Sequence, residues 1–454
     1  MLLLKNCFYV ATLDGLSLTE VDILIKGNRI VEIGKNISLD QNAKIVARTI
    51  DCSDYVVIPG LVNTHHHFYQ TLTRNLPSVQ NAKLFDWLVY LYEVWKNIDE
   101  DAVYYSSLLA MGELLKTGCT LSTDHHYLYP ESFRGDLMGI QFEAAARLGI
   151  RFSPSRGSMS LSKKNGGLPP DSVVQDEKKI LEDSARVIEK YHDASEDSMR
   201  KIVLAPCSPF SVTKESMKET AALARAHHVR LHTHLAETED EEKYCREKFS
   251  KNPLALMEEV GFVGEDVFFA HGVFFNDDEL KILAETKTSI AHCPSSNMRL
   301  GSGIARVKEM LDRGINVGIG VDGSASNDTS DMLGELRNAM LLQRVKYGAS
   351  ALTAGDAFKM GTGNGARMLD FTHLGKIKQG WLADLALFNI NKLEYTGSLS
   401  DPLAALLFAG ISHQTEYTIV NGKVVVEKGK LVGEKEETII EKGNAISRRL
   451  IGTY

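Results

Sequence analysis

The chain has 454 residues, of which 44% are apolar and 24% charged, with a formal net charge of −8. That is the balance of a soluble globular protein too long for one ordinary core, and its length suits a large barrel with a smaller companion domain. The acidic balance and the lack of any basic run argue against nucleic-acid binding.

The N-terminal stretch "MLLLKNCFYVATLDG" meets Lys5 too early to serve as a signal peptide or membrane span. Cysteines at 7, 52, 119, 207, 245 and 293 are widely spread with no C-x-x-C, which argues against a disulfide framework or a thiolate zinc site. A reducing cytoplasmic setting and no membrane association are the expectation.

The first predicted unit is a hairpin, "ILIKGNRIVEIG" (23–34), and "TIVNGKVVVEKG" (418–429) echoes it near the other end of the chain. Asn421-Gly422 is a hairpin-turn signal. Residues 1–57 and 371–454 are therefore assigned to one small β-rich, sandwich-like domain, and 58–370 to the barrel. The apolar run from Tyr55 to Val62 leads into "NTHHHFYQ" (63–70). On an extended strand His65 and His67 share a face, while His66 points to the other.

The segment 68–98, with "LFDWLVYLYEVW" (84–95), reads as a helical insertion after the first barrel strand. Its aromatic face suits core packing or a lid over the barrel mouth. Further strands follow at "CTLSTDHH" (119–126), "IRFSPSRG" (150–157), "KIVLAPCSP" (201–209), "VRLHTHLAE" (229–237), "VFFAHGV" (267–273), "TSIAHCPSS" (288–296) and "INVGIGVDG" (315–323). Amphipathic helical stretches at 213–228, 276–285, 304–313 and 331–346 lie between them. Counting the strand before the three histidines, this is the pattern of a (β/α)8 TIM barrel.

Most of these strands turn polar at their C-terminal ends: His65 and His67, Asp124 to His126, Arg156, Ser208, His232 and His234, His271, His292 and Asp322. The C-terminal rim is where such barrels assemble chemistry, and ordinary strand capping does not explain the same placement around the whole barrel. Imidazoles and a carboxylate gathered there suit one divalent metal. Zinc is expected, and ferrous iron or manganese accept the same donors. The H-x-E and P-C-x-x-C design of cytidine-type deaminases is missing, since Glu237 is one residue too far from His234 and Cys207 has no partner three positions on.

The order His-x-His, His-x-x-Glu, His, Asp across strands one, five, six and eight resembles the mononuclear deaminase branch of the amidohydrolase superfamily. The resemblance spans essentially the whole chain, including "HLGKIKQGWLADLALF" (373–388), similar to that family's return strand. Strand four, "VLAPCSP", offers no lysine to bridge two metals, which favours one.

The resemblance implies that His65, His67, His234 and Asp322 bind the metal and that Asp322 also takes a proton from the attacking water. It implies that Glu237 shuttles protons to a ring nitrogen and to leaving ammonia, and that His271 orients the nucleophile. Strand alternation points His66 away from the ligands, toward neighbouring packing or a partner behind them. His292 is either a hydrogen-bonded rim residue or a support near Asp322. His125 and His126 either support the ligands or lie in a solvated loop.

The stretches 63–77, 124–130, 155–162 and 166–175 resemble the 8-oxoguanine deaminase group and its relative hydroxyatrazine ethylaminohydrolase. That likeness implies hydrolysis of a C–N bond on a heterocyclic small molecule. Gln70 would contact a ring lactam edge, Arg74 and Arg156 would recognise carbonyls, and Trp87 and Tyr127 would stack on a flat ring. Guanine, isocytosine and N-alkylamino-triazines are alternative substrates, and a metal-free barrel scaffold is the alternative of a different class. A homo-oligomer is expected because relatives assemble.

Overall fold

The stretch from Tyr55 to Asn63 serves two sheets. Its first half, Tyr55–Pro59, pairs antiparallel with Leu385–Asn389 in a sheet built from both chain ends, and Leu61–Asn63 is the first barrel strand. Gly60 joins them, and a Cβ there would stand 2.1 Å from the Thr120 hydroxyl, so the close approach of the two strands needs a glycine. The structure, a computed structural model, describes residues 1–37 and 48–452. Residues 38–47, within the first stretch assigned above to the small domain, and 453–454 lie outside the described residues.

The second sheet is parallel throughout and closes on itself. Its eight positions are Leu61–Asn63, Cys119–Ser122 continued by His125–His126, Arg151–Phe152 continued by Ser155–Ser158, Val203–Pro206, Arg230–Leu235, Val267–His271, Ser289–His292 and Val317–Ile319. Ile319 pairs with Asn63, which completes the cylinder. The expected TIM barrel is therefore present. The interior is filled near the N-terminal ends of the strands by Val62, Leu121, Val203, Phe268 and Ala291, backed by Ala366 and Met368. This plug leaves the C-terminal ends for polar groups.

Among the described residues the sheet from the chain ends has nine strands, mostly antiparallel, and its own apolar core that includes Leu4, Ile23, Val57, Leu385 and Ile419. Val420 pairs with Lys423 across Asn421 and Gly422, whose φ values of 51° and 74° are those of a tight hairpin turn. A Cβ on Gly422 would fall 2.0 Å from the Gly27 carbonyl, so the tips of the two echoing hairpins meet there.

The insertion after the first strand folds as a 3-10 turn, Phe68–Thr73, and a helix, Leu84–Trp95. Leu84, Trp87, Leu88, Leu91, Tyr92 and Trp95 are buried at helical spacing, and Trp95 Nε1 donates to Thr73 Oγ1 at 3.0 Å. Exposing a large apolar side chain costs about 1.5–3 kcal/mol, so lifting this face would cost several times that. The insertion roofs the barrel mouth, with Leu84, Trp87, Leu88 and Tyr92 lining the space over the strand ends. All six cysteines are free and buried. Among the described residues no helix is long and apolar enough to cross a membrane.

Candidate active site

The site begins with which nitrogen of each histidine carries its proton. His67 Nδ1 donates to the His125 carbonyl at 2.8 Å, and His234 Nδ1 donates to the Cys207 carbonyl at 2.6 Å. A carbonyl can only accept, so both neutral rings present a bare Nε2. These two Nε2 atoms stand 3.1 Å apart. Asp322 Oδ1 lies 3.4 Å from His67 Nε2 and 3.4 Å from His65 Nε2. His65 Nε2 is buried and has no hydrogen-bond partner among the described residues.

Lone pairs and a carboxylate therefore converge with no donor between them, an arrangement that fits a cation. Three imidazole nitrogens and one carboxylate oxygen are a donor set that zinc accepts. His65, His67 and His234 are close enough together to hold an ion. Two other buried groups are as tight, His65 with His125 and His232, and His65 with His271 and Cys293. In the former, His232 Nε2 and His65 Nδ1 are taken up by each other at 2.8 Å. The first group brings two of its nitrogens, those of His65 and His67, to 3.4 Å from Asp322 Oδ1.

Beside this centre, Glu237 Oε2 lies 3.6 Å from His271 Nε2, and Asp322 Oδ2 lies 3.9 Å from the same nitrogen. His271 Nδ1 is held at 3.0 Å by Asn297 Oδ1. Ala236, His271 and Asp322 have φ values of 54°, 74° and 63°, left-handed backbone that costs non-glycine residues about 1–3 kcal/mol each. Such strain gathers at functional sites, and the neighbours offset it here. The Glu241 carboxylate accepts the backbone N–H groups of Ala236 at 3.1 Å and Glu237 at 2.9 Å, fixing the turn that presents Glu237. Asp322 Oδ1 accepts the Gly323 N–H at 2.6 Å, and its Oδ2 accepts the Ser326 hydroxyl at 3.3 Å. Burial pushes the Glu237 carboxyl up to about 7, with the nearby Asp322 charge acting in the same direction and His271 opposing it. A carboxyl near that value gives and takes protons readily at neutral pH.

Above these groups lies a small cavity walled by both polar and apolar side chains. Gln70, Trp87, Tyr92, Tyr127 and Phe210 form much of its wall, with His67, His234, Glu237, His271 and Asp322 below. Gln70 Oε1, Trp87 Nε1 and the Tyr92 hydroxyl are buried with no hydrogen-bond partner among the described residues. Buried polar atoms are normally satisfied, so three orphans in one cavity wall point to a ligand that carries both donors and acceptors.

The structure thus places Gln70, Trp87 and Tyr127 on the cavity wall. It does not bring Arg74 or Arg156. Arg74 makes a two-pronged pair with Glu113 at 2.7 and 2.8 Å. Arg156 is buried, bonded to Asp183 at 2.9 Å and Gln175 at 3.0 Å, and its guanidinium lies 4.0 Å over the Tyr129 ring. Each guanidinium is paired with an acid, Arg74 through its two terminal nitrogens only, and neither lines the cavity.

His66 turns away from the centre to Ser330 Oγ at 3.0 Å. His125 and His126 are buried, not solvated: the first supports His67 through its carbonyl, and the second bonds the Leu128 carbonyl at 2.8 Å. His292 is not a hydrogen-bonded rim residue, since neither ring nitrogen has a partner among the described residues.

Sequence reasoning passed over Tyr92, Asn297, Glu241 and Ser326. Tyr92 is five positions after Trp87 on a helix face whose spacing signals burial whether the neighbour is core or ligand. Glu241 sits four residues after Glu237, where the first turn of a helix can reach back to a strand end.

The amidohydrolase family profile matches residues 56–425. The chain is 42% identical to an 8-oxoguanine deaminase of Pseudomonas aeruginosa over 99% of its own length and 98% of that protein. It is 35% identical to a hydroxydechloroatrazine ethylaminohydrolase of a Pseudomonas species, covering 96% of this chain and 92% of that one. Among solved structures, an atrazine chlorohydrolase of Arthrobacter aurescens complexed with zinc superposes with a TM-score of 0.93 at 31% identity, covering 98% of this chain and all of that one. The chain belongs to the amidohydrolase family. It is a hydrolase of carbon–nitrogen bonds other than peptide bonds, and the metal-free scaffold alternative is set aside.

Proposed function

We propose that the protein is a zinc-dependent hydrolytic deaminase of a flat, lactam-bearing heterocycle, with 8-oxoguanine as the substrate. The observation that carries this reading is the placement of Glu237 between the His271 and Asp322 side of the centre and a cavity whose wall holds unsatisfied polar atoms. The 42% identity to an 8-oxoguanine deaminase along nearly the full chain supports the choice of ring.

His65, His67, His234 and Asp322 would hold the ion. When bound, it supplies the Lewis acidity that makes water a competent nucleophile near neutral pH. Asp322 accepts the proton that the attacking water gives up. Glu237 gives its proton to the ring nitrogen next to the amino-bearing carbon, so negative charge does not build up on the ring. As the carbonyl forms, the adduct's hydroxyl proton and the proton held on Asp322 are returned, one passing through Glu237 to the departing amine and the other restoring Glu237. The balance is 8-oxoguanine plus water to urate plus ammonia. His271, steered by Asn297, directs its Nε2 toward the attacked face. Gln70 offers a lactam edge both a donor and an acceptor, and Tyr127 and Trp87 provide flat walls for the ring.

The test is parallel measurement of amine release from 8-oxoguanine, guanine, isocytosine and hydroxyatrazine, with zinc content measured on the same preparation. The expected result is about one zinc per chain and fastest release from 8-oxoguanine. Turnover confined to the N-alkylated triazine would overturn the substrate and leave the chemistry.

A further inference from the structure

All three histidines at the centre hold their ring orientation through Nδ1, but not in the same way. His67 and His234 each donate to a backbone carbonyl. His65 instead meets a side chain: its Nδ1 lies 2.8 Å from Nε2 of His232. His232 Nδ1 in turn lies 2.9 Å from the Phe268 carbonyl, and its ring stacks on the Phe268 ring at 4.2 Å with 15° between planes.

The carbonyl at the far end fixes the direction of the whole chain. Phe268 can only accept, so His232 carries its proton on Nδ1 and its Nε2 is an acceptor. A second proton on His232 would place a positive charge among the buried rings of His65, His125 and His234. His65 must then donate from Nδ1, and its Nε2 is left bare and aimed at the centre, 3.4 Å from Asp322. His232 is itself fully buried on the fifth barrel strand, so the acceptor is rigid.

We infer that His232 is a positioning residue that sets the tautomer and ring angle of His65, through the path Phe268 carbonyl, His232, His65. It plays the part usually taken by a carboxylate or backbone carbonyl behind a metal-bound histidine. Because it is a neutral imidazole, it orients His65 without adding negative charge beneath the ion. The inference rests on the metal-centre reading above.

The experiment compares zinc dissociation constants of the native protein, His232→Leu and His232→Gln, measured by competition with a chromophoric chelator on metal-stripped and refilled protein. Removing a partner behind a metal ligand typically weakens binding by about tenfold to a hundredfold, and that loss is expected for His232→Leu. The glutamine carbonyl can replace the lost acceptor, so His232→Gln is expected to stay within about threefold of native. Melting of the metal-free forms gives the control: a packing role alone would lower both stabilities without separating the two affinities.

Native-like zinc binding in His232→Leu would overturn the inference, as would a glutamine variant no better than the leucine one. A native protein that holds no zinc would instead overturn the metal centre itself. Should His232→Leu fail to fold, long-range nitrogen NMR of histidine-labelled, zinc-loaded native protein decides. Protons on Nδ1 of both His65 and His232 are expected, and a proton on His232 Nε2 would refute the path.

Discussion

The floor and the roof of the cavity are built by opposite rules. On the floor, the rings of His65, His67 and His234 are each fixed at Nδ1 by a partner within the protein, and the strained turns at Ala236 and Asp322 are braced by Glu241, Gly323 and Ser326. On the roof, Trp87 and Tyr92 are equally buried, yet their polar atoms have no partner among the described residues. The difference separates two tasks. A group that must hold one geometry through a reaction is satisfied from behind, leaving one reactive atom free. A group that must recognise a ligand is left unsatisfied until the ligand arrives, at some cost in stability.

The comparison breaks most visibly at Glu237. Glu237→Gln keeps the shape but cannot carry a proton, so kcat is expected to fall by about 10²–10⁴-fold with zinc content unchanged. Steady-state kinetics with metal analysis on the same sample checks this, and retained turnover would remove Glu237 from proton transfer. At the roof, Tyr92→Phe deletes a hydroxyl that has no partner without ligand. KM is expected to rise about tenfold, as for one lost hydrogen bond of about 1–1.5 kcal/mol, while the ligand-free protein melts no lower than native. A drop in melting temperature with KM unchanged would assign the hydroxyl to packing.

The smallest effect is expected outside both regions. Arg74→Met breaks a partly exposed pair with Glu113, costing up to about 1 kcal/mol of stability and leaving KM as it was. A large KM change there would return Arg74 to substrate recognition.

That His65, His67, His234, Glu237, His271 and Asp322 would gather at one rim was readable from the sequence because strand alternation and placement at strand ends are local properties. Arg74 and Arg156 were misread because a guanidinium's partner is a long-range fact. Glu113 lies 39 positions from Arg74 and Asp183 lies 27 from Arg156, and nothing beside either arginine announces them. Likewise, helical spacing shows that Tyr92 is buried but not that an empty volume lies on its other side.

The chain's own order determined the repeating strand and helix units, the polar ends of the strands, and which side chains could serve as acid, base or metal donor. Tertiary structure alone decided which ring nitrogens are free, which arginines are already paired, and which buried polar atoms still lack a partner. Those outcomes depend on hydrogen bonds between residues far apart in the chain, and such bonds exist only once the barrel has closed.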